Sequence, residues 1–398
     1  MTAMIFVRKA IRRCVLFAFL LIMVSCEKTQ DLRNDTTKTV LVYMAADNNL
    51  SAFARRNIYS MRSSMGSDLD FANLLVFVDR QSVNPVLLHI HDYRIDTVKV
   101  YDKLNSADAS VLKEVIETVT DNWKAESYGL VLWSHGMAWV PEAQMHTIAS
   151  DQGWAPMRER PKTKTFAAEN LPDDKYTCME IDDLVDAIPE GVFDYIAFDA
   201  CYMGSVEVAY ALRNKTKYII SSSCEIVDEG FPYGTVTRDF INGNLLKMCS
   251  EFYSYYNRQS GWHQTASISL VDTDGLDSLA RCFRKIVAAH KSEIPTLDIS
   301  DIQHCDRFDK HVMFDLEDFV DKLGTERDDL MEFRLQLEKC ILYKNATPYI
   351  CSYYPDDPKG IKMVSFSGLS VYIPLESFEA SGLNDDYRDT EWSRDTGY

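Results

Sequence analysis

Two residues form the clearest candidate reacting pair: His135, in Trp133-Ser-His-Gly136, and Cys201, in Phe198-Asp-Ala-Cys201. Each is separated by one or two residues from a preceding apolar run, Gly129-Leu-Val-Leu-Trp133 for the histidine and Tyr195-Ile-Ala-Phe198 for the cysteine. Side chains far apart in sequence can meet at the ends of neighbouring strands, and open α/β sheets bind ligands outside the carboxyl ends of their parallel strands. A thiolate is a strong nucleophile, and a neighbouring imidazole can take its proton and return it to a leaving amine. Gly136 keeps a backbone N–H open to a substrate carbonyl, and with the Cys201 N–H it makes a candidate oxyanion hole. These residue types predict acyl transfer through a Cys–His dyad. The competing reading is a buried cysteine beside a histidine that satisfies a loop carbonyl.

The elements that must position this pair are legible from hydropathy. Thr39–Ala46, Asn73–Asp79, Gly129–Ser134, Asp194–Ala200 and Lys217–Ser223 carry largely continuous rather than alternating apolarity, which predicts strands covered on both faces. Shorter β segments are expected near 86–90 and 97–101. Helical spacing covers roughly 50–65, Ser110–Trp123, Glu180–Ile188 and Gly204–Arg213. This alternation predicts a parallel α/β sheet. From about 245 helices are predicted at 245–257, 275–292, 309–322 and 325–344, with β segments at Ala266–Val271 and Gly368–Pro374. The expected organisation is a core over 39–244, then a mainly helical region over 245–398 that returns strands to it. Residues 139–178 break the pattern with four prolines, the basic residues Arg158, Arg160, Lys162 and Lys164, and no sustained apolar period. Loops this long are usually functional or disordered.

Residues 1–25 hold Arg8, Lys9, Arg12 and Arg13, no acid, and the apolar run Cys14–Val24. The run is short for a membrane span and suits a secretion signal. It ends in Met23-Val-Ser-Cys26 before an abrupt polar stretch, which resembles a lipoprotein cleavage site with Cys26 as the lipidated residue. A polar linker over 26–38 follows. The expectation is an exported protein, tethered to the outer membrane or cell surface, with the periplasm as the alternative. The 398 residues carry 60 acids against 42 Lys and Arg, a formal charge of −18, which excludes nucleic acid as a partner. Ten cysteines in so long a chain are too sparse for a disulfide scaffold, and no Cys-x-x-Cys pair marks a zinc or thioredoxin-type site.

Several segments together carry a family resemblance. Trp133-Ser-His-Gly136 and Phe198-Asp-Ala-Cys-Tyr-Met-Gly-Ser-Val-Glu-Val-Ala209 resemble the two catalytic blocks of the clostripain family of cysteine peptidases. Tyr43-Met-Ala-Ala-Asp-Asn-Asn-Leu50, Gly230-Phe-Pro-Tyr233 and Gly368-Leu-Ser-Val-Tyr-Ile-Pro374 resemble further segments of that family, in the same order. The resemblance implies a caspase-like α/β/α sandwich with a mostly parallel central sheet and a mainly helical C-terminal addition. It implies His135 as base and Cys201 as nucleophile, with no third member required. Asp199-Ala-Cys201 stands where true caspases carry Gln-Ala-Cys.

The resemblance also implies cleavage after Arg or Lys, which needs a carboxylate in the S1 pocket. Asp199 matches an S1 acid of the family, and a second acid is expected from the loop carrying Glu225, Asp228 and Glu229. Family members are often cut between the dyad residues after a basic residue, so Arg158, Arg160, Lys162, Lys164 and Lys175 are candidate self-cleavage sites. No cofactor is required by this chemistry, and a calcium dependence stays open, since acids are plentiful but no EF-hand spacing occurs. His89 and His91 lack a metal-spaced acid or cysteine, and no Gly-x-Ser-x-Gly turn supports a serine hydrolase. Two alternatives remain: a surface lipoprotein using the fold as a binding module, and a dyad peptidase or transpeptidase of different P1 preference.

Overall fold

Nine strands form one sheet at the centre of the computed structural model, which describes residues 37–148, 169–170, 176–350 and 360–398. They are β1 (Lys38–Ala46), β2 (Ala72–Arg80), β3 (Val86–His91), β4 (Arg94–Val100), β5 (Ser127–Trp133), β6 (Phe193–Asp199), β7 (Thr216–Ser221), β8 (Ser267–Asp272) and β9 (Ile341–Ala346). Their order is β9-β8-β7-β6-β5-β1-β2-β3-β4. The five central strands run parallel. Antiparallel pairs extend both edges, β3-β4 on one side and β8-β9 on the other.

The principal helices are α1 (Ser51–Ser64), α2 (Ala109–Asn122), α3 (Ile181–Ala187), α4 (Val206–Ala211), α5 (Tyr233–Ile241), α6 (Leu245–Asn257), α7 (Leu276–His290), α8 (Leu316–Lys322) and α9 (Arg327–Cys340), followed by two one- to two-turn helices. Every residue of β1 is buried, because helices cover both faces. Val40, Val42 and Met44 meet α1, α5 and α6 through residues such as Ala54, Ile58, Val236 and Phe252. Leu41, Tyr43 and Ala45 point the other way, into a core shared with Leu112, Val115 and Ile116 of α2, Leu184 of α3 and Phe283 of α7. The period of two along the strand thus feeds two separate cores, and each fully buried Val, Leu or Phe contributes about 1.5–3 kcal/mol. This is the expected α/β/α sandwich.

The chain leaves β1 for β2 on one side and later places β5 on the other. Strand order therefore reverses between β1 and β5, and the crevice for a ligand opens at their carboxyl ends.

Four local readings change. The helix expected over 309–322 starts at Leu316, because Asp306 holds the preceding segment as a loop, its carboxylate accepting the N–H groups of Phe308, Val312 and Met313 at 2.7–3.0 Å. Asp315 then caps α8 through the Asp318 N–H at 3.0 Å. The helix expected over 325–344 stops at Cys340, and Ile341–Ala346 pairs with β8 instead, where cross-strand pairing outweighs helical propensity. Of the β segment expected at Gly368–Pro374, only Ser370–Val371 pairs, with Phe314–Asp315. Helix α5 has no counterpart among the expected elements: Pro232 opens it, and Tyr233, Val236 and Phe240 form its buried face.

Candidate active site

β5 and β6 are in parallel register with Trp133 opposite Asp199, so Ser134-His-Gly136 and Ala200-Cys201 leave the sheet side by side. The Ser134 N–H donates to the Asp199 carbonyl at 3.3 Å, which carries the pairing one step past the strands. Beyond it the two segments nearly touch: a Cβ at Gly136 would collide with the Cys201 carbonyl oxygen and press on Met203. Glycine is required here by close approach rather than by backbone angle. After Cys201 the chain turns sharply, with Tyr202 at φ +62°, an uncommon conformation for a residue with a side chain. Its N–H donates to the Cys224 carbonyl at 3.0 Å and the Gly204 N–H to the Ser222 carbonyl at 2.7 Å, so the loop after β7 holds the turn.

His135 is only 3% exposed, and its Nε2 lies 2.9 Å from Asn49 Oδ1. Burial lowers its pKa to about 4, so the imidazole is neutral near pH 7. The Cys201 sulfur accepts the Ile226 N–H at 3.3 Å, and its S–H faces the Ile226 carbonyl at 3.5 Å. Burial and the Glu225 carboxylate push the thiol pKa up, against a smaller opposing effect of the Ile226 N–H. Both partners of the pair are therefore uncharged, and the loop after β7 lies over the thiol.

That loop is anchored at several points. Glu225 pairs with Arg307 at 2.7 Å, both side chains being mostly buried. Asn57 of α1 donates to the Glu229 carbonyl at 3.3 Å, and Tyr256 of α6 donates to the Gly230 carbonyl. Gly230 has φ +65° and packs directly on the Asp199 carboxylate, where a Cβ would sit 2.6 Å from Oδ2.

Asp199 itself is buried, and its two oxygens accept the Phe231 N–H at 3.0 Å while Oδ2 also accepts the Tyr233 hydroxyl at 2.9 Å. Burial outweighs these bonds and raises its pKa to about 7. Of the loop acids, Glu225 is committed to Arg307, whereas Asp228 is exposed, with desolvation and Glu229 raising its pKa. The candidate cleavage residues Arg158, Arg160, Lys162, Lys164 and Lys175, and Cys26, lie outside the described residues. His91 pairs with Asp96 at 2.7 Å, and among the described residues no group of three or more His, Cys, Asp or Glu could hold a metal. Three contacts escape sequence reasoning: Asn49 on His135, Ile226 on Cys201, and Arg307 on Glu225. Only Asn49 carried a signal, since it sits just past the apolar run of β1.

A family model described as the Clostripain family matches residues 42–397. The chain is 25% identical over 232 residues to clostripain of Hathewaya histolytica, a match that covers 50% of this chain and 41% of that protein, so it spans less than half of that relative's length. Among solved structures, it is similar to an inactive zymogen C11 protease from Parabacteroides distasonis, with a TM-score of 0.77, 31% identity, and 91% of this chain and 98% of the other covered. A secreted C11 cysteine protease from Bacteroides thetaiotaomicron, solved with an irreversible peptide inhibitor, gives a TM-score of 0.76, 30% identity, and coverage of 90% and 98%. With the family model spanning nearly all of the core and both candidate catalytic blocks within it, the chain belongs to the clostripain family of cysteine peptidases and is a hydrolase.

Proposed function

We propose that this peptidase is an exported endopeptidase that cuts after Arg or Lys through a Cys201–His135 dyad. The observation that carries the dyad is the contact of Gly136 with the Cys201 backbone, which brings the histidine and cysteine blocks together at adjoining strand ends. The Cys201 sulfur attacks the scissile carbonyl as its proton passes to His135. The N–H groups of Gly136 and Cys201 receive the developing oxyanion. The C–N bond then breaks as the imidazolium protonates the leaving amine, and water hydrolyses the thioester with His135 again as base. Because the resting pair is neutral, proton transfer accompanies attack rather than preceding it.

The basic P1 preference rests on Asp199, with Asp228 and Glu229 as further acids of the pocket. A buried carboxylate held near neutrality gains most from a cation placed beside it. The Ile226 contact on the thiol fits a latent form, and cleavage in the 139–178 loop after a basic residue is the proposed release. Cys26 as a lipid anchor at the outer membrane or cell surface, no requirement for a cofactor, and a division at about residue 244 complete the reading. Among the described residues no helix is long and apolar enough to cross a membrane. Turnover of fluorogenic P1-Arg and P1-Lys peptides by the wild type, and none by Cys201→Ala, tests it. No turnover even after trypsin nicking of the loop refutes the enzyme, and turnover of P1-Ala or P1-Asp alone refutes the pocket.

A further inference from the structure

The two loops that leave β1 and β5 are stitched together at one carbonyl. Ala45 C=O, at the end of β1, accepts the Ser134 hydroxyl at 2.8 Å and the Asn48 side-chain amide at 3.1 Å. Asn48 also accepts the Leu50 N–H on its Oδ1 at 2.9 Å, and its carbonyl accepts the Ser51 N–H at 3.1 Å, so the turn into α1 is rigidly set. Between those fixed points Asn49 projects its side chain to His135, with Oδ1 2.9 Å from Nε2. One ring nitrogen is thereby committed as the donor, and the other is left with a lone pair.

We propose that Asn49 is the positioning residue of the dyad: it accepts the Nε2–H of His135, fixes that tautomer, and leaves Nδ1 as the atom that takes the Cys201 proton. The inference rests on His135 acting as the base. The orientation matters because a neutral imidazole has one donor and one acceptor nitrogen, and the wrong tautomer presents a hydrogen to the thiol instead of a lone pair. Among the described residues the recorded side-chain partner of the ring is this amide, not a carboxylate. Asp47 on the same loop is paired with Lys103 at 2.6 Å, Glu225 over the thiol is paired with Arg307, and Asp199 holds the Phe231 amide. Burial lowers the ring's pKa. An amide acceptor orients the ring without adding charge, which keeps it a neutral base near pH 7. Asn49 is itself exposed, so replacing it leaves the core intact.

The test compares Asn49→Ala, Asn49→Asp and His135→Ala with the wild type in kcat, KM, melting temperature and the pH profile of kcat/KM. Asn49→Ala is expected to lower kcat about 10- to 100-fold, with KM within about twofold and melting unchanged. Asn49→Asp keeps an acceptor, so it retains most of kcat but stabilises the imidazolium, moving the acid limb of the profile up by about one pH unit or more. Asn49→Ala within twofold of the wild type, or Asn49→Asp as impaired as Asn49→Ala, would overturn the positioning role. If His135→Ala retains activity, the dyad itself falls. A dead His135→Ala beside a wild-type-like Asn49→Ala sinks only the role of Asn49.

Discussion

Asp199→Asn should separate stability from specificity in a pH-dependent way. The Asp199 carboxyl has a pKa of about 7 in the fold against 3.8 for the free side chain, because burial disfavours its charge more than the Phe231 and Tyr233 bonds favour it. At 1.36 kcal/mol per pH unit, that displacement corresponds to about 4 kcal/mol. The folded pKa is raised, so the neutral form favours the fold. This contribution is fully present below about pH 4 and is lost as pH rises through about 7. Asparagine has the same shape without the charge. Its oxygen accepts the Phe231 and Tyr233 donors, while its own N–H groups lack an acceptor at a cost of roughly 1–2 kcal/mol. On a Cys201→Ala background, Asp199→Asn should therefore be less stable than its parent by about 1–2 kcal/mol at pH 4 and more stable by about 2–3 kcal/mol at pH 8. Urea unfolding across that range reads the difference. A stability difference that stays constant from pH 4 to 8 refutes the buried, half-titrated carboxyl. In the active protein the same substitution should remove most of the preference for Arg and Lys at P1.

Further outcomes follow from the contacts around the thiol and from the proposed cleavage in the 139–178 loop. Gly136→Ala places a methyl on the Cys201 carbonyl oxygen, so kcat/KM should fall at least about 100-fold and stability by roughly 2–3 kcal/mol, checked by peptide turnover and urea unfolding. Glu225→Gln removes an anion that raises the thiol pKa, and Cys201 should alkylate with iodoacetamide about 3- to 10-fold faster at pH 8. Arg307→Met removes a cation that lowers the thiol pKa and should slow the same reaction. N-terminal sequencing should find a second chain starting after one of Arg158, Arg160, Lys162, Lys164 or Lys175 in the wild type and not in Cys201→Ala; the same chain in both speaks against self-processing.

How much of the fold and the site is legible in the amino-acid sequence depends on what each residue answers to. β1, β2, β5, β6 and β7 are covered on both faces, so hydropathy alone marks them, and the turn residues after each strand mark where the crevice opens. The proposed dyad is legible for the same reason, since His135 and Cys201 sit at those ends. Ile341–Lys344 reads as helix because its sheet partner, β8, is remote in sequence, and only tertiary pairing decides between the two states. The segment ahead of α8 misleads for a similar reason: one buried carboxylate, Asp306, takes the amides that a helix would have used. The placement of the loop over Cys201 is illegible because its anchor, Arg307, belongs to the C-terminal region and meets Glu225 only in three dimensions. Asp199 is placed by motif, but its bonds to the Phe231 amide and the Tyr233 hydroxyl are facts of the fold.

The central claim is that Cys201 is the nucleophile of a pocket that selects a basic side chain. The direct measurement is covalent labelling with a peptidyl ketone electrophile carrying Lys or Arg at P1, followed by peptide mapping. The account predicts a single adduct on the peptide containing Cys201, formed faster than with the Ala analogue and absent in both Cys201→Ala and His135→Ala. An adduct on any of the other cysteines, or equal labelling by the Ala analogue, would contradict it.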